Sequence, residues 1–305
     1  MGETKQAELQ ARYLAAVDRF VDKVKPDQNV IAVIVSGSLA YDVLWEKSDI
    51  DMTVVVRDQQ LKTTSYSLID DGIVQNVSLC TRTEFKRGLE GSRGGSFWQS
   101  YMAKGRVVYS TDESLVDTFL EAKTVGKDDM AHSALTIAGW LLGDAEKAEK
   151  WLTARQDPLY AQYYLLKAAE SVAAMELCLA GEPIGRDSIQ KAQRRNPDAI
   201  NPFYQEAMAR HLSEQEIRQG IDTLYAYLEQ HLDVIAQPIL DFMADGEIKT
   251  STLISKHFGV DPHFTTHVFE YLAERGIIER VSQTIRITPK GRQNHEELGY
   301  LYISE

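Results

Sequence analysis

The sequence predicts an α+β protein in three parts: a small mixed-sheet domain, an α-helical bundle, and a short domain of three helices followed by a hairpin. Three observations carry this prediction. Buried-strand patterns alternate with helical ones in the first part, helical periodicity alone fills the middle, and short helices precede two short strand-like segments at the end. We place the domains at residues 1–113, 114–236 and 237–305.

The first part begins with a helix and continues through four strands. Apolar residues at helical spacing predict the helix over residues 5–25. Strands are expected at 30–35, 49–56, 72–79 and 106–109, the first of them apolar throughout and therefore buried on both faces. Strands and helices mixed over so short a stretch indicate a compact α/β unit.

The middle part carries helical periodicity broken only by proline and glycine. Helices are predicted at 114–122, 129–153, 158–180, 202–211 and 213–235. Tyrosines within residues 160–164 either line an acceptor pocket or pack between helices. The succession of helices predicts a bundle.

The last part has a different rhythm. Helices are predicted at 238–243, 250–257 and 263–275, a hairpin at 277–281 and 284–288, and a polar helix from Pro289. Three helices and a hairpin are the layout of a winged helix. Seven basic and ten acidic residues give residues 237–305 a charge of -3, and no Arg or Lys opens the third helix. A structural or protein-contact role is therefore favoured over DNA readout.

The composition excludes several classes of protein. The 305 residues are 44% hydrophobic and carry a net charge of -12, which argues against a nucleic acid as the main partner. Two distant cysteines, Cys80 and Cys178, exclude a disulfide framework and favour a reducing compartment. No apolar stretch reaches the ~18–20 residues of a membrane span, so we expect a cytoplasmic protein without a membrane partner.

One short stretch carries the candidate chemistry. A predicted buried strand ends at Gly37 and Ser38, ten residues follow, and Asp49 and Asp51 open the next strand. Residues i and i+2 of a strand share a face, so the two carboxylates point the same way. Paired carboxylates supply the oxygen ligands that Mg²⁺ prefers, and a glycine beside a serine lets a phosphate approach and accept hydrogen bonds. These groups are typical of a nucleotidyl-transfer site.

The Gly-Ser pair, the interval and the Asp-x-Asp resemble the signature of the polymerase-beta-like nucleotidyltransferase superfamily, over residues 28–112. The helical part is similar in layout to that of aminoglycoside (antibiotic) nucleotidyltransferases. The resemblance implies Mg²⁺-dependent transfer of a nucleoside monophosphate from a nucleoside triphosphate to a hydroxyl of a small, antibiotic-like acceptor. It also implies that Asp49 and Asp51 hold the metal and that Gly37 and Ser38 bind the β- and γ-phosphates.

The resemblance extends to the helix over 158–180, because aminoglycoside-type enzymes can draw their general base from the helical part. Glu170 is the candidate base and Lys167, one turn away, a candidate phosphate ligand. An ion pair between these two residues is the alternative. Arg82 and Arg93 are either further triphosphate ligands or surface charges.

One departure from the family pattern leaves two other functions open. The superfamily usually carries a third carboxylate on the following strand, where this sequence has Asn76. An amide ligates a metal weakly and cannot act as a base. The alternatives are a catalytically degenerate nucleotide-binding sensor and a transcription regulator that acts through the winged helix. The sequence is compatible with a homodimer in each case.

Overall fold

The structure is a computed structural model that describes residues 3–41, 44–91, 105–121, 127–182, 184–259, 262–288 and 290–303. Two compact units are present, Met1–Gly126 with Pro183–Gly185, and Lys127–Glu182 with Arg186–Glu305. The expected boundary between residues 236 and 237 lies inside the second unit. Arg93, a candidate triphosphate ligand, lies outside the described residues.

The first unit is a mixed sheet, as the sequence predicts, and helices cover both of its faces. Its helices are α1 (Glu3–Val24), α2 (Arg82–Gly91) and α3 (Glu113–Glu121). Its strands are β1 (Val30–Ser36), β2 (Ile50–Val56), β3 (Ser65–Asp70), β4 (Ile73–Thr81) and β5 (Arg106–Ser110), and a 3₁₀ turn, Gly37–Tyr41, follows β1. The five strands lie in the order β3-β4-β2-β1-β5. The sheet is mixed because β2 and β4 are parallel while the other pairs are antiparallel.

Two apolar layers enclose the middle of this sheet. On one face, Tyr13 and Val17 of α1 belong to the same buried cluster as Met52 of β2. On the other face, Phe85 of α2 and Phe119 of α3 pack with residues from β1 and β2. Every residue of β1 is buried, which confirms the interpretation of its continuous apolar run.

The hairpin of β3 and β4 includes a strand that the sequence analysis did not predict. Asp71 and Gly72, with φ angles of 48° and 72°, connect the two strands. Two central residues with positive φ are typical of the tight turn that joins paired strands. The predicted strand over 72–79 is β4, whereas β3 is mostly exposed and lacks the apolar alternation of a half-buried strand.

The second unit is helical apart from a small sheet at its C-terminal end. Its longer helices are α4 (Lys127–Thr153), α5 (Pro158–Leu179), α6 (Ser188–Arg195), α9 (Glu214–Gln230), α10 (Leu232–Met243), α11 (Ser251–Phe258) and α12 (Pro262–Glu274). Short turns, α7 (Pro197–Ile200), a π-helical turn (Pro202–Glu206) and α8 (Ala207–Ala209), connect α6 to α9. Within the described part of the chain, no helix is long and apolar enough to cross a membrane.

Local sequence explains where two of these helices begin. Asp157 accepts a hydrogen bond from the backbone of Tyr160, and a proline occupies the first turn of α5. Ser213 and Glu216 form a reciprocal capping box at the start of α9. Both helices therefore start at signals that a sequence can reveal.

The prediction of a polar helix from Pro289 is wrong. The described residues there include strand β8 (His295–Leu301), which pairs with β7 (Glu279–Ile285) and with the short β6 (Lys249–Thr250). Tyr300 of β8 is buried and donates a hydrogen bond to Glu270 of α12. These tertiary contacts outweigh the weak helical tendency of the polar segment. The predicted hairpin of 277–281 with 284–288 is also wrong, because β7 continues through the expected turn and its partner is β8.

Candidate functional site

A glycine turn and a carboxylate meet where β1 ends. Ser36, the last residue of β1, lies opposite Asp51 in the antiparallel pair with β2. Gly37 follows with φ of +69°, and a Cβ added there would lie 2.3 Å from Asp51 Oδ2. Both the backbone angle and the lack of space require glycine. The Gly-Ser motif thus places its backbone directly against one of the two acidic side chains.

The second carboxylate is held by an amide on the neighbouring strand. Asn76 of β4 lies beside Asp51 in the parallel pair. Its Nδ2 donates a hydrogen bond of 2.6 Å to Asp49 Oδ2. Ser67 of β3 donates to Asn76 Oδ1 over 3.2 Å, so the amide is fixed from both ends. Asn76, the position at which the resemblance leads us to expect a carboxylate, is thus a hydrogen-bond donor to Asp49.

These groups are accessible to a ligand. Asp49, Asp51 and Asn76 are all half-buried, and so are Gly37 and Ser38. Alternation along β2 places Asp51 on the same face as Val55, which α2 and α3 cover. On this face of the sheet, apolar packing therefore covers the end that carries Val55, and the end that carries Asp51 is left half-buried.

Helix α1 supports the loop that carries Asp49. The hydroxyl of Tyr13 donates a hydrogen bond of 2.7 Å to the carbonyl of Ser48. The Ser48 hydroxyl accepts from the backbone of Trp45, and the Ser48 N–H donates to the Trp45 carbonyl. Burial raises the pKa of Tyr13, and the charge of Asp49 adds to that rise. Tyr13 thus remains a neutral hydrogen-bond donor, and the carbonyl that it contacts belongs to Ser48, the residue before Asp49.

The donor set suits a hard divalent cation. Asp49 and Asp51 supply carboxylate oxygens, and the amide of Asn76 is hydrogen-bonded to Asp49 and Ser67. Such oxygen groups are the ligands that Mg²⁺ takes in proteins. Within the described ranges, no group of three or more His, Cys, Asp or Glu residues could hold a metal ion. A metal at this position would therefore rest on two carboxylates.

The candidate residues of the helical part lie in the second unit. Lys167 donates to Asp144 Oδ1 of α4 over 2.9 Å, and this hydrogen bond raises the pKa of the lysine. Asp144 itself is buried, so the pair joins α4 to α5. The alternative expectation of an ion pair between Lys167 and Glu170 is wrong. Glu170 is exposed and makes no ion pair with another described residue.

Arg82 takes part in an ion pair of the first unit. Its Nε lies 2.6 Å from Asp112 Oδ2, and its Nη2 lies 2.9 Å from the hydroxyl of Ser114. Asp112 also accepts from the backbone of Leu115 at the start of α3. Hydrogen bonds from Arg82 and then from Ser114 lower the pKa of Asp112 to about 2. Arg82 is therefore a partly exposed charge that stabilises the first turn of α3.

Two residues of the site were missed from the sequence. Ser67 lies on the strand that was not predicted, and Tyr13 is one of several apolar-face residues of the first helix. The Asp71-Gly72 dipeptide is a hairpin signal that would have revealed β3 and brought Ser67 beside Asn76. The sequence contains no local signal for the contact of Tyr13 with Ser48.

Comparison with known proteins identifies the same part of the chain. Residues 20–114 match the family model described as Polymerase beta, Nucleotidyltransferase. No curated protein matches the chain. The fold is similar to the crystal structure of a nucleotidyltransferase-like protein from Exiguobacterium sibiricum 255-15, with a TM-score of 0.66 and 13% identity over 95% of this chain and 99% of that one. The first unit therefore has a nucleotidyltransferase fold, and residues 20–114 match the kind of family that the motif predicts.

Proposed function

We propose that this protein transfers a nucleoside monophosphate from a nucleoside triphosphate to a hydroxyl of a small, antibiotic-like molecule. The contact between Gly37 and Asp51 gives the strongest support. A glycine that must lack a side chain lies against a carboxylate, inside the segment that matches the nucleotidyltransferase family. Such a turn lets a triphosphate approach the backbone next to the metal ligands.

Each polar group has a role in this proposal. Asp49 and Asp51 would hold Mg²⁺, which when bound neutralises charge on the triphosphate. Asn76 keeps one oxygen of Asp49 hydrogen-bonded and so fixes the direction of that carboxylate. The backbone N–H of Gly37 and the hydroxyl of Ser38 would donate to the β- and γ-phosphates.

The reaction needs a base for the acceptor hydroxyl. The hydroxyl oxygen forms a bond to the α-phosphorus, the bond from that phosphorus to the β-phosphate oxygen breaks, and pyrophosphate leaves. The hydroxyl proton passes to the base, for which we propose Glu170, an exposed carboxylate. Lys167 remains a candidate phosphate ligand because its side chain is 42% exposed and its ammonium has donors beyond the one given to Asp144.

Pyrophosphate release tests the proposal. The protein is incubated with Mg²⁺, ATP or GTP, and a panel of hydroxylated acceptors that begins with aminoglycosides. We expect release that depends on the acceptor, that Asp51→Asn abolishes, and that Asp117→Asn, a change of an exposed carboxylate in the same unit, leaves intact. Release by Asp51→Asn at the wild-type rate would show that the carboxylate is not needed.

A nucleotide-binding sensor is the second candidate, favoured by the amide at Asn76. Calorimetry with Mg²⁺ and ATP compares the wild type with Asp49→Asn. Tight binding by the wild type alone, with no pyrophosphate from any acceptor, would select the sensor. Equal binding by both proteins would remove the role of Asp49 as a metal ligand.

We propose that residues 237–305 form a winged-helix-like domain with a structural role. The paired strands β7 and β8 follow helices α11 and α12, which supports this proposal. The third helix is engaged on the bundle: His267 Nδ1 lies 2.8 Å from Glu146 Oε2, and Tyr271 donates to Glu229 over 2.9 Å. A transcription regulator would instead retard duplex DNA with a steep dependence on salt.

A further inference from the structure

A groove of about 600 Å³ lies in the second unit, between the first turns of α5 and the segment that follows the π-helical turn. Its apolar lining includes Leu159, Tyr160, Tyr163, Leu166 and Met208. Leu159 and Met208 are 60% and 62% exposed, which is unusual for two large apolar side chains of one groove. Volumes of about 300–1,000 Å³ are typical of sites for small molecules.

The groove is preformed by a buried glutamine. Gln162 Nε2 donates to the carbonyls of Ala207 and Arg210 over 2.6 and 2.7 Å, and its Oε1 accepts from the backbone of Leu212 over 2.9 Å. These bonds fix the far wall of the groove to α5. The π-helical turn, Pro202–Glu206, leads directly into that wall. Single π-helical turns within helical segments are frequent at functional sites.

The lining is close to electrically neutral. Among the described residues that line the groove there is no Asp, Glu or Lys; Arg210 forms a two-pronged ion pair with Glu216 outside the lining, and His211 is the one histidine. The rings of Tyr160 and Tyr163 lie 5.5 Å apart and are nearly parallel, and Trp151 meets Tyr160 edge-on. Aromatic faces with no unpaired charge of either sign favour a flat, uncharged ligand over a polycation or an anion.

We propose that this groove binds a neutral, flat, apolar small molecule against the rings of Tyr160 and Tyr163. The proposal does not depend on nucleotidyl transfer, because the lining belongs entirely to the second unit and shares no residue with the Asp49 and Asp51 site. An activity test of that site and a binding test of this groove can therefore fail separately.

The test uses the uncharged dye N-phenyl-1-naphthylamine, whose fluorescence rises in an apolar site, with the full-length protein. Leu159 lies in the first turn of α5, where a carboxylate is favoured by the helix dipole, so Leu159→Glu should fold normally. We expect saturable binding of one dye per chain, weakened about tenfold or more by Leu159→Glu. Leu253→Glu is the matched control, since Leu253 is an exposed leucine in the first turn of α11.

Three results would overturn the proposal. The first is no saturable binding by the wild type. The second is that Leu159→Glu and Leu253→Glu weaken dye binding equally, or that neither substitution weakens it. The third, from sedimentation, is a wild-type dimer that binds no dye and that Leu159→Glu converts to a monomer, because the groove would then be an interface between two copies.

Discussion

Replacing Gly37 by alanine tests the geometry on which the candidate transfer site depends. Gly37 has φ of +69°, and its missing Cβ would lie 2.3 Å from Asp51 Oδ2. A non-glycine residue in this left-handed region costs about 1 kcal/mol. Contacts of 3.4–4 Å are ordinary for a Cβ, so the carboxylate must also move by about 1 Å. Forcing a side chain off its rotamer adds about 1 kcal/mol, and we expect Gly37→Ala to lose about 2 kcal/mol of unfolding free energy.

The control separates backbone strain from the contact. Gly72 has φ of +72°, and its nearest neighbour to an added Cβ, the Arg12 side chain, lies at 3.8 Å. Gly72→Ala should therefore lose only the backbone part, about 1 kcal/mol. Urea unfolding measures both values. Because displacement of a reacting group by about 1 Å can cost on the order of 100-fold in rate, Gly37→Ala should also lose transfer activity where Gly72→Ala keeps it.

A double substitution identifies the partner. In the Asp51→Ala background the clashing oxygen is absent, so adding Gly37→Ala should cost only about 1 kcal/mol. Two results would refute the reasoning: equal losses for Gly37→Ala and Gly72→Ala, or an undiminished loss for Gly37→Ala when Asp51 is already alanine. Either would mean that the carboxylate does not occupy the space beside the glycine.

Other consequences can be measured independently of activity. Tyr13→Phe removes the hydrogen bond to Ser48 and should lower the unfolding free energy by about 1 kcal/mol; an unchanged value in urea titration would contradict that contact. Because the pKa of Asp112 is lowered to about 2 in the folded protein, its bond to Arg82 stabilises the fold above pH ~4, and this contribution disappears as the pH falls through about 2. Arg82→Met should thus destabilise at pH 7, and its difference from the wild type should shrink as the pH falls toward and below 2, by urea unfolding at each pH. Burial raises the pKa of Cys178 to about 11, so iodoacetamide should modify it slowly at pH 8 in the native protein and rapidly in urea, as read by mass spectrometry.

The sequence predicted the elements whose signals are local. The apolar run of β1 and the proline at the start of α5 are signals that act over a few residues. The spacing from Gly37 to Asp51 therefore predicted the candidate site before any strand pairing was known.

Contacts between distant segments were not predictable in this way. The pairing of Lys167 with Asp144 depends on how α4 and α5 pack, and the strand β8 depends on partners far along the chain. Local periodicity carries no information about such partners. The exposed strand β3 was missed for a different reason: its turn, not its hydrophobicity, identifies it.

Helix α1 reaches both sides of the candidate site without contributing a ligand to it. Tyr13 supports the loop before Asp49, while Arg19 and Lys23 form ion pairs with Asp70, where β3 ends. The same helix thereby sets how far apart the Asp49 loop and the Ser67 strand stand. Shortening or unwinding the amino-terminal segment should consequently change the distance between the Asp49 loop and the Ser67 strand, although neither of them belongs to this helix.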